Sequence, residues 1–132
     1  MEKPVIFASN RNLTSDPAMV NEVIFMDIGD SLMVNTGKKI TVRCPISGIP
    51  NPESVWKLNG KDIDKVDGFE VDAKNEILIK SVDENHAGIL ECLASNTAGL
   101  AYASSHIQVV GEKVYIDFLV LICSKYHLIC RS

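Results

Sequence analysis

The stretch "HAGILECLASNTAG", His86 to Gly99, places Leu90, Cys92 and Ala94 on one side of an extended chain. Side chains of a strand alternate between its two faces, so this pattern turns Cys92 toward an apolar interior. A cysteine with a histidine six residues upstream also raises the possibility of a thiol nucleophile and its base. That chemistry needs an exposed thiolate within reach of the base. Cys92 lies on the apolar face, and six residues of strand put about 20 Å between the two side chains. The segment reads as core strand, and the chain as non-catalytic.

The same alternation recurs on both sides of this stretch. In "KKITVRC", Ile40, Val42 and Cys44 share one face, and in "ESVWKL" so do Trp56 and Leu58. "NEILIKSV" aligns Ile77 with Ile79, and "GLAYASSHIQVV" ends on Ile107 and Val109. Between these runs stand turn signals: "SGIPNP", the Asn59-Gly60 pair of a two-residue hairpin, and "SNTAG". Short strands at spacings of about 8 to 12 residues, with no helix-length periodic segment, predict an all-β sandwich or barrel. Its core is built from Ile40, Val42, Trp56, Ile77, Ile79 and Leu90, with Cys44 and Cys92 facing inward.

Composition narrows the partners. The 132 residues are 46% hydrophobic and 23% charged, with a formal net charge of −4. That suits one globular domain with extensions and excludes wholesale disorder. Basic residues cluster only in pairs such as Lys38-Lys39, too sparsely to neutralise a run of phosphates, so nucleic acid is not an expected partner. The apolar run from Phe118 to Cys123 is far shorter than the roughly 20 residues a membrane helix needs. Three regions are expected: an irregular lead-in with little packing over 1–21, the sandwich over 22–110, and an atypical extension over 111–132.

These residues resemble the immunoglobulin superfamily, and within it the I-set type. The resemblance rests on "ITVRCPISGIPNPESVWKLNGKDI" from Ile40, "EILIKSVDENHAGILECLASNTAG" from Glu76, and "SSHIQVV" from Ser104. It implies an immunoglobulin-like, two-sheet Greek-key sandwich, cross-linked from Cys44 to Cys92 with Trp56 packed on the bridge. Closing so long a loop is worth about 2 to 5 kcal/mol in a small secreted domain. The family pattern Asp-x-Gly-x-Tyr-x-Cys is replaced here by His86, Gly88, Leu90 and Cys92. Leu90 supplies packing without the tyrosine hydroxyl, so a weaker corner is expected before that strand. His86 itself is read as an ordinary surface or partly buried residue, as is His106.

By the same resemblance the function is protein-protein contact, with matrix or cell-surface proteins as partners and no cofactor. A secreted matrix protein of the ADAMTS-like or hemicentin kind, or a cell-adhesion protein, is the leading expectation. A structural spacer of a titin-like intracellular filament is the alternative. The start "MEKPVIFASNRN" lacks the pattern of a secretory signal, while an even set of four cysteines suits an oxidising compartment. A chain cut from a longer secreted protein reconciles the two. Asn12-Leu13-Thr14 is an acceptor for N-glycosylation at Asn12. Cys123, His127 and Cys130 lack a fourth ligand and the usual zinc spacing, and Asp62, Asp64 and Asp67 lack the glycine turn and closing glutamate of a calcium loop, so no metal site is expected.

Overall fold

The computed structural model describes residues 1–111; the extension with Cys123, His127 and Cys130 lies outside the described residues. In chain order the strands are β1 (Glu2–Ile6), β2 (Asn12–Thr14), β3 (Val23–Asp27), β4 (Ser31–Asn35), β5 (Lys39–Arg43) and β6 (Ile46–Ile49). They continue with β7 (Glu53–Leu58), β8 (Lys61–Asp62), β9 (Phe69–Val71), β10 (Ile77–Ile79), β11 (Gly88–Asn96) and β12 (Gly99–Val110). One sheet has the order β3-β5-β10-β9 and the other β2-β4-β12-β11-β7-β8, while β1 pairs with β6 as a separate ribbon. The fold is an all-β sandwich, one of the two forms that the alternation predicts and the one that the family resemblance implies.

The core forms where the two inner faces meet. Ile40 and Val42 of β5 lie opposite Ile79 and Ile77 of β10, and all four are fully buried. Across the sandwich, Leu58 and Trp56 of β7 lie opposite Leu90 and Cys92 of β11. Cys44, just after β5, is joined to Cys92 by a disulfide that ties one sheet to the other. Trp56 is the direct neighbour of Cys92 in the sheet, and its indole N–H donates to the Asn75 carbonyl at 2.8 Å. This bond lets the ring enter the core without stranding its polar atom. The Asn59-Gly60 turn joins β7 to β8 as expected, with positive φ at both residues.

Residues 1–21, expected to be an irregular lead-in, contain two strands and are fastened to the sandwich. β1 runs antiparallel to β6, and β2 runs parallel to β4 on the edge of the larger sheet. Arg11 holds the turn between β3 and β4 through Asp30, whose side chain is fully buried. The Asp30 carboxylate accepts from Arg11 Nη2 at 2.7 Å, from the Arg11 N–H at 2.9 Å and from the Asp27 N–H at 3.0 Å. Lys38, also buried, reaches the Met19 carbonyl and lies 3.6 Å from Glu22. Gly29, in the same turn with φ +99°, leaves no space for a side chain, because a Cβ there would stand 2.1 Å from the Ser9 carbonyl oxygen. These ties join residues about twenty positions apart, a distance at which local periodicity carries no signal.

His86, expected at the surface or partly buried, is fully buried. The Asp83 N–H donates to Nδ1 at 3.0 Å, and Nε2 faces the Asp67 carbonyl oxygen at 2.9 Å. A donor at one nitrogen and an acceptor at the other select the neutral ring with its proton on Nε2. Phe69 meets the ring edge to face at 5.1 Å, and Gly68 gives it room. The histidine thus links the turn before β11 to the loop before β9, in a corner that has lost its tyrosine.

Three outcomes follow. His86→Ala should destabilise the domain by about 1 to 3 kcal/mol, whereas exposed His106→Ala should stay within about 0.5 kcal/mol, both read from urea unfolding. Gly29→Ala should cost about 1 to 3 kcal/mol, because it combines a left-handed φ with a backbone clash. Burial alone would raise the pKa of Asp30, but the hydrogen bonds from Arg11, Ser9 and Asp27 prevail and hold it at about 2. A carboxylate lowered on folding adds stability above its unfolded pKa of about 3.9 and loses it as pH falls through the folded value. Stability should therefore drop between about pH 4 and pH 2, and Asp30→Asn should flatten that part of the curve.

Candidate protein-interaction face

Sheet register decides what the outer side of β7, β11 and β12 displays. Because Trp56, Leu58, Leu90, Cys92 and Ala94 fill the inner side, the intervening residues must face outward. They form rows across the three strands: Val55, Leu93 and Tyr102 in one, Lys57, Glu91 and Ser104 in the next, and Glu53, Ser95 and Leu100 on the other side. Val55 is 54% exposed, Leu100 64% and Tyr102 72%. An apolar row in the middle of a solvent-facing sheet, bordered by Lys57, Glu91 and Glu53, has the layout of an interface centre with a polar rim.

The opposite sheet displays a different surface. Its outer side carries Phe25 on β3, but the neighbouring positions are Lys39, Thr41 and Arg43, and Arg43 pairs with Asp27 at 2.8 Å. There Thr41 separates Phe25 from Leu78, the row ends on Glu70, and Val23 stands beside Lys39. The larger sheet therefore offers the more continuous apolar surface.

The residues singled out in the sequence fall into three places. Cys44, Cys92, Trp56, Leu90, Ile40, Val42, Ile77 and Ile79 come together in the interior, where they support the face from beneath. Asn12 is exposed on β2, at the edge of the same sheet. Asp62, Asp64 and Asp67 are spread over β8, a short 3-10 turn and the loop that His86 holds. Among the described residues no group of three or more His, Cys, Asp or Glu gathers as a metal site, and no helix is long and apolar enough to cross a membrane. Val55, Leu93, Leu100 and Tyr102 were not singled out from the sequence. Their signal was present in the alternation itself: each is a large apolar or aromatic residue in the phase that the buried residues leave for solvent.

Comparison with known proteins agrees with this fold. Residues 24–109 match the family model described as the Immunoglobulin I-set domain. Interference hedgehog of Drosophila ananassae is 32% identical over 85 residues, which are 64% of this chain and 10% of that protein. Hemicentin-2 of Mus musculus is 33% identical over 82 residues, 61% of this chain and 2% of that protein. ADAMTS-like protein 3 of Homo sapiens is 27% identical over 112 residues, 85% of this chain and 6% of that protein. The chain thus spans a small part of the length of each of these relatives.

Among solved structures, the complex of titin M10 with an obscurin like 1 immunoglobulin domain superposes with a TM-score of 0.60 at 22% identity, covering 84% of this chain and 97% of that one. Sidekick-1 immunoglobulin domains 1–4 give a TM-score of 0.60 at 17% identity, over 82% of this chain and 24% of that one. At such identities the likeness is one of fold alone. The family match covers well over half of the sequence, takes in both bridge cysteines and Trp56, and coincides with the two packed sheets: the chain belongs to the immunoglobulin I-set family.

Proposed function

We propose that this domain is a non-catalytic protein-protein interaction module of a secreted matrix or cell-adhesion protein, and that it meets its partner through the outer face of β7, β11 and β12. The observation that carries this reading is the outward row in which exposed Val55 and Tyr102 flank half-buried Leu93. Large apolar and aromatic side chains on a rigid sheet lose little conformational entropy on binding, and tyrosine adds a hydroxyl that can find a partner across the interface. The charged rows beside them supply orientation more than affinity.

Two further observations support an extracellular setting. A disulfide between the sheets persists in an oxidising compartment and is rare in a reducing one. The matches to Hemicentin-2 and ADAMTS-like protein 3 fall on the matrix kinds that the sequence resemblance raised. The titin structures resemble this chain at the level of fold and give no weight to a filament role.

The test is a binding survey against an array of secreted and cell-surface ectodomains, using the full chain. Tyr102→Asp should weaken any specific interaction at least tenfold, while Phe25→Ser on the opposite sheet should change it less than twofold. Equal binding by wild type and Tyr102→Asp would move the interface elsewhere. Mass spectrometry after thiol alkylation of protein from its native source should yield the linked Cys44 and Cys92 peptides. Free thiols at both positions would favour the filament spacer.

A further inference from the structure

Asn12 and Thr14 stand exposed on β2 with Leu13 half-buried between them, so both functional residues of the acceptor triplet point to solvent in the folded domain. β2 has one neighbour, β4, with Asn12 beside Ser31 and Thr14 beside Met33; its other side is an open edge of the larger sheet. The opposite edge is β8, only Lys61 and Asp62, short and charged in the way that discourages further pairing. β2 has no charged residue to do the same. Beside Asn12 lies a shallow groove of about 230 Å³, lined by Ser31, Met33, His106 and Gln108 among others. On β12, His106 and Gln108 share the outward phase of Tyr102.

We infer that Asn12 carries an N-linked glycan whose first sugars cover this groove and the open edge of β2. The covered part of the outer face, over β2, β4 and the end of β12 with His106 and Gln108, is thereby closed to proteins, and the part over β7, β11 and the start of β12 is left free. In the transfer, the amide nitrogen of Asn12 bonds to the anomeric carbon of an oligosaccharide as that carbon's bond to a lipid pyrophosphate breaks. The amide gives up one proton and the lipid pyrophosphate leaves. Asn12 is the one residue at which this can occur, because no other Asn-x-Ser/Thr triplet exists and Asn51 is followed by Pro52. The groove suits a sugar: Ser31, His106 and Gln108 offer hydrogen bonds to hydroxyls, and half-exposed Met33 offers an apolar floor to ring C–H groups. Four to six residues along β12 separate this site from Tyr102, about 13 to 20 Å at the rise of a strand, so the glycan borders the apolar row without covering it.

The inference rests on the extracellular reading in one respect, since transfer occurs only in a chain that enters the secretory path. The full chain is therefore directed there by an added signal sequence, and both cell-associated and secreted protein are analysed. The expected result is one glycan, removed by peptide-N-glycosidase F with conversion of Asn12 to aspartate, and absent from both Asn12→Gln and Thr14→Ala. Hydrogen peroxide should oxidise Met33 at least threefold more slowly in glycosylated than in deglycosylated protein, while Met1, exposed beside Thr97 in the turn at the other end of β12, should react equally in both. An unmodified Asn12 in protein that holds the Cys44–Cys92 bridge would overturn the inference and leave the extracellular reading standing. Equal oxidation of Met33 in the two forms would overturn the shielding of the groove. A glycan on Asn12 beside free thiols at Cys44 and Cys92 would support the site and count against the reading on which it rests.

Discussion

The bridge from Cys44 to Cys92, with Trp56 alongside, is the contact on which the other features depend. It is the single covalent cross-link between side chains of the two sheets among the described residues; Cys92 is fully buried in the core with Ile40, Val42, Leu90 and Ile77, and Cys44 is half-buried at its margin. A cross-link spanning 48 residues removes many conformations from the unfolded chain, an effect worth about 4 kcal/mol on the loop-entropy account. For a domain whose net stability is of the order of 5 to 15 kcal/mol, that share is large. It also fixes the phase of β11: with Cys92 inward, Leu93 and Glu91 have to face outward, and so do Val55 and Tyr102 beside Leu93. The face proposed for interaction is the reverse side of the bridge.

Around this centre the domain secures its ends by polar contacts that are each placed in a gap between strands. Asp30 is a buried charge satisfied by Arg11 and by two backbone N–H groups, an arrangement that is costly to leave incomplete and therefore holds the preceding ten residues in place. His86 does the same for the loop before β9 by accepting from one backbone group and facing another. His86 connects segments that no sheet ladder joins, whereas Asp30 extends the β2–β4 ladder by one position and ties it to the end of β3. No buried side-chain nitrogen or oxygen among the described residues lacks a partner, so these contacts add order without leaving polar groups stranded.

The strands that bury one face were legible in the sequence because their pattern is local. Ile40 and Val42, Ile77 and Ile79, and Leu90, Cys92 and Ala94 each announce a strand within a few residues, and Asn59-Gly60 announces its turn. β1 and β2 were not legible. β2 is three residues long, and β1 pairs with β6, where "ISGI" places glycine and exposed Ile49 in a segment without alternation. His86 was misplaced for a similar reason: its partners, Asp83 N–H and Asp67 C=O, are backbone groups, which a sequence does not distinguish. The interaction face was half legible, since the phase of each strand could be read but the alignment of Val55, Leu93 and Tyr102 depends on register between strands.

The inner face is locked by the core, and the face proposed for binding is presented at a fixed spacing by β7 and β12 on either side of β11, which is paired along both edges. The central claim, that one covalent tie holds both sheets and thereby the face, is tested most directly by amide hydrogen exchange of the oxidised and reduced protein. The account predicts that amides of Ile40, Val42, Leu90 and Cys92 exchange only through global opening when the bridge is present, and that reduction lowers their protection by about 2 to 4 kcal/mol, together and to a common value. Protection that is the same with and without the bridge, or that falls at β11 while β5 keeps its own, would contradict it.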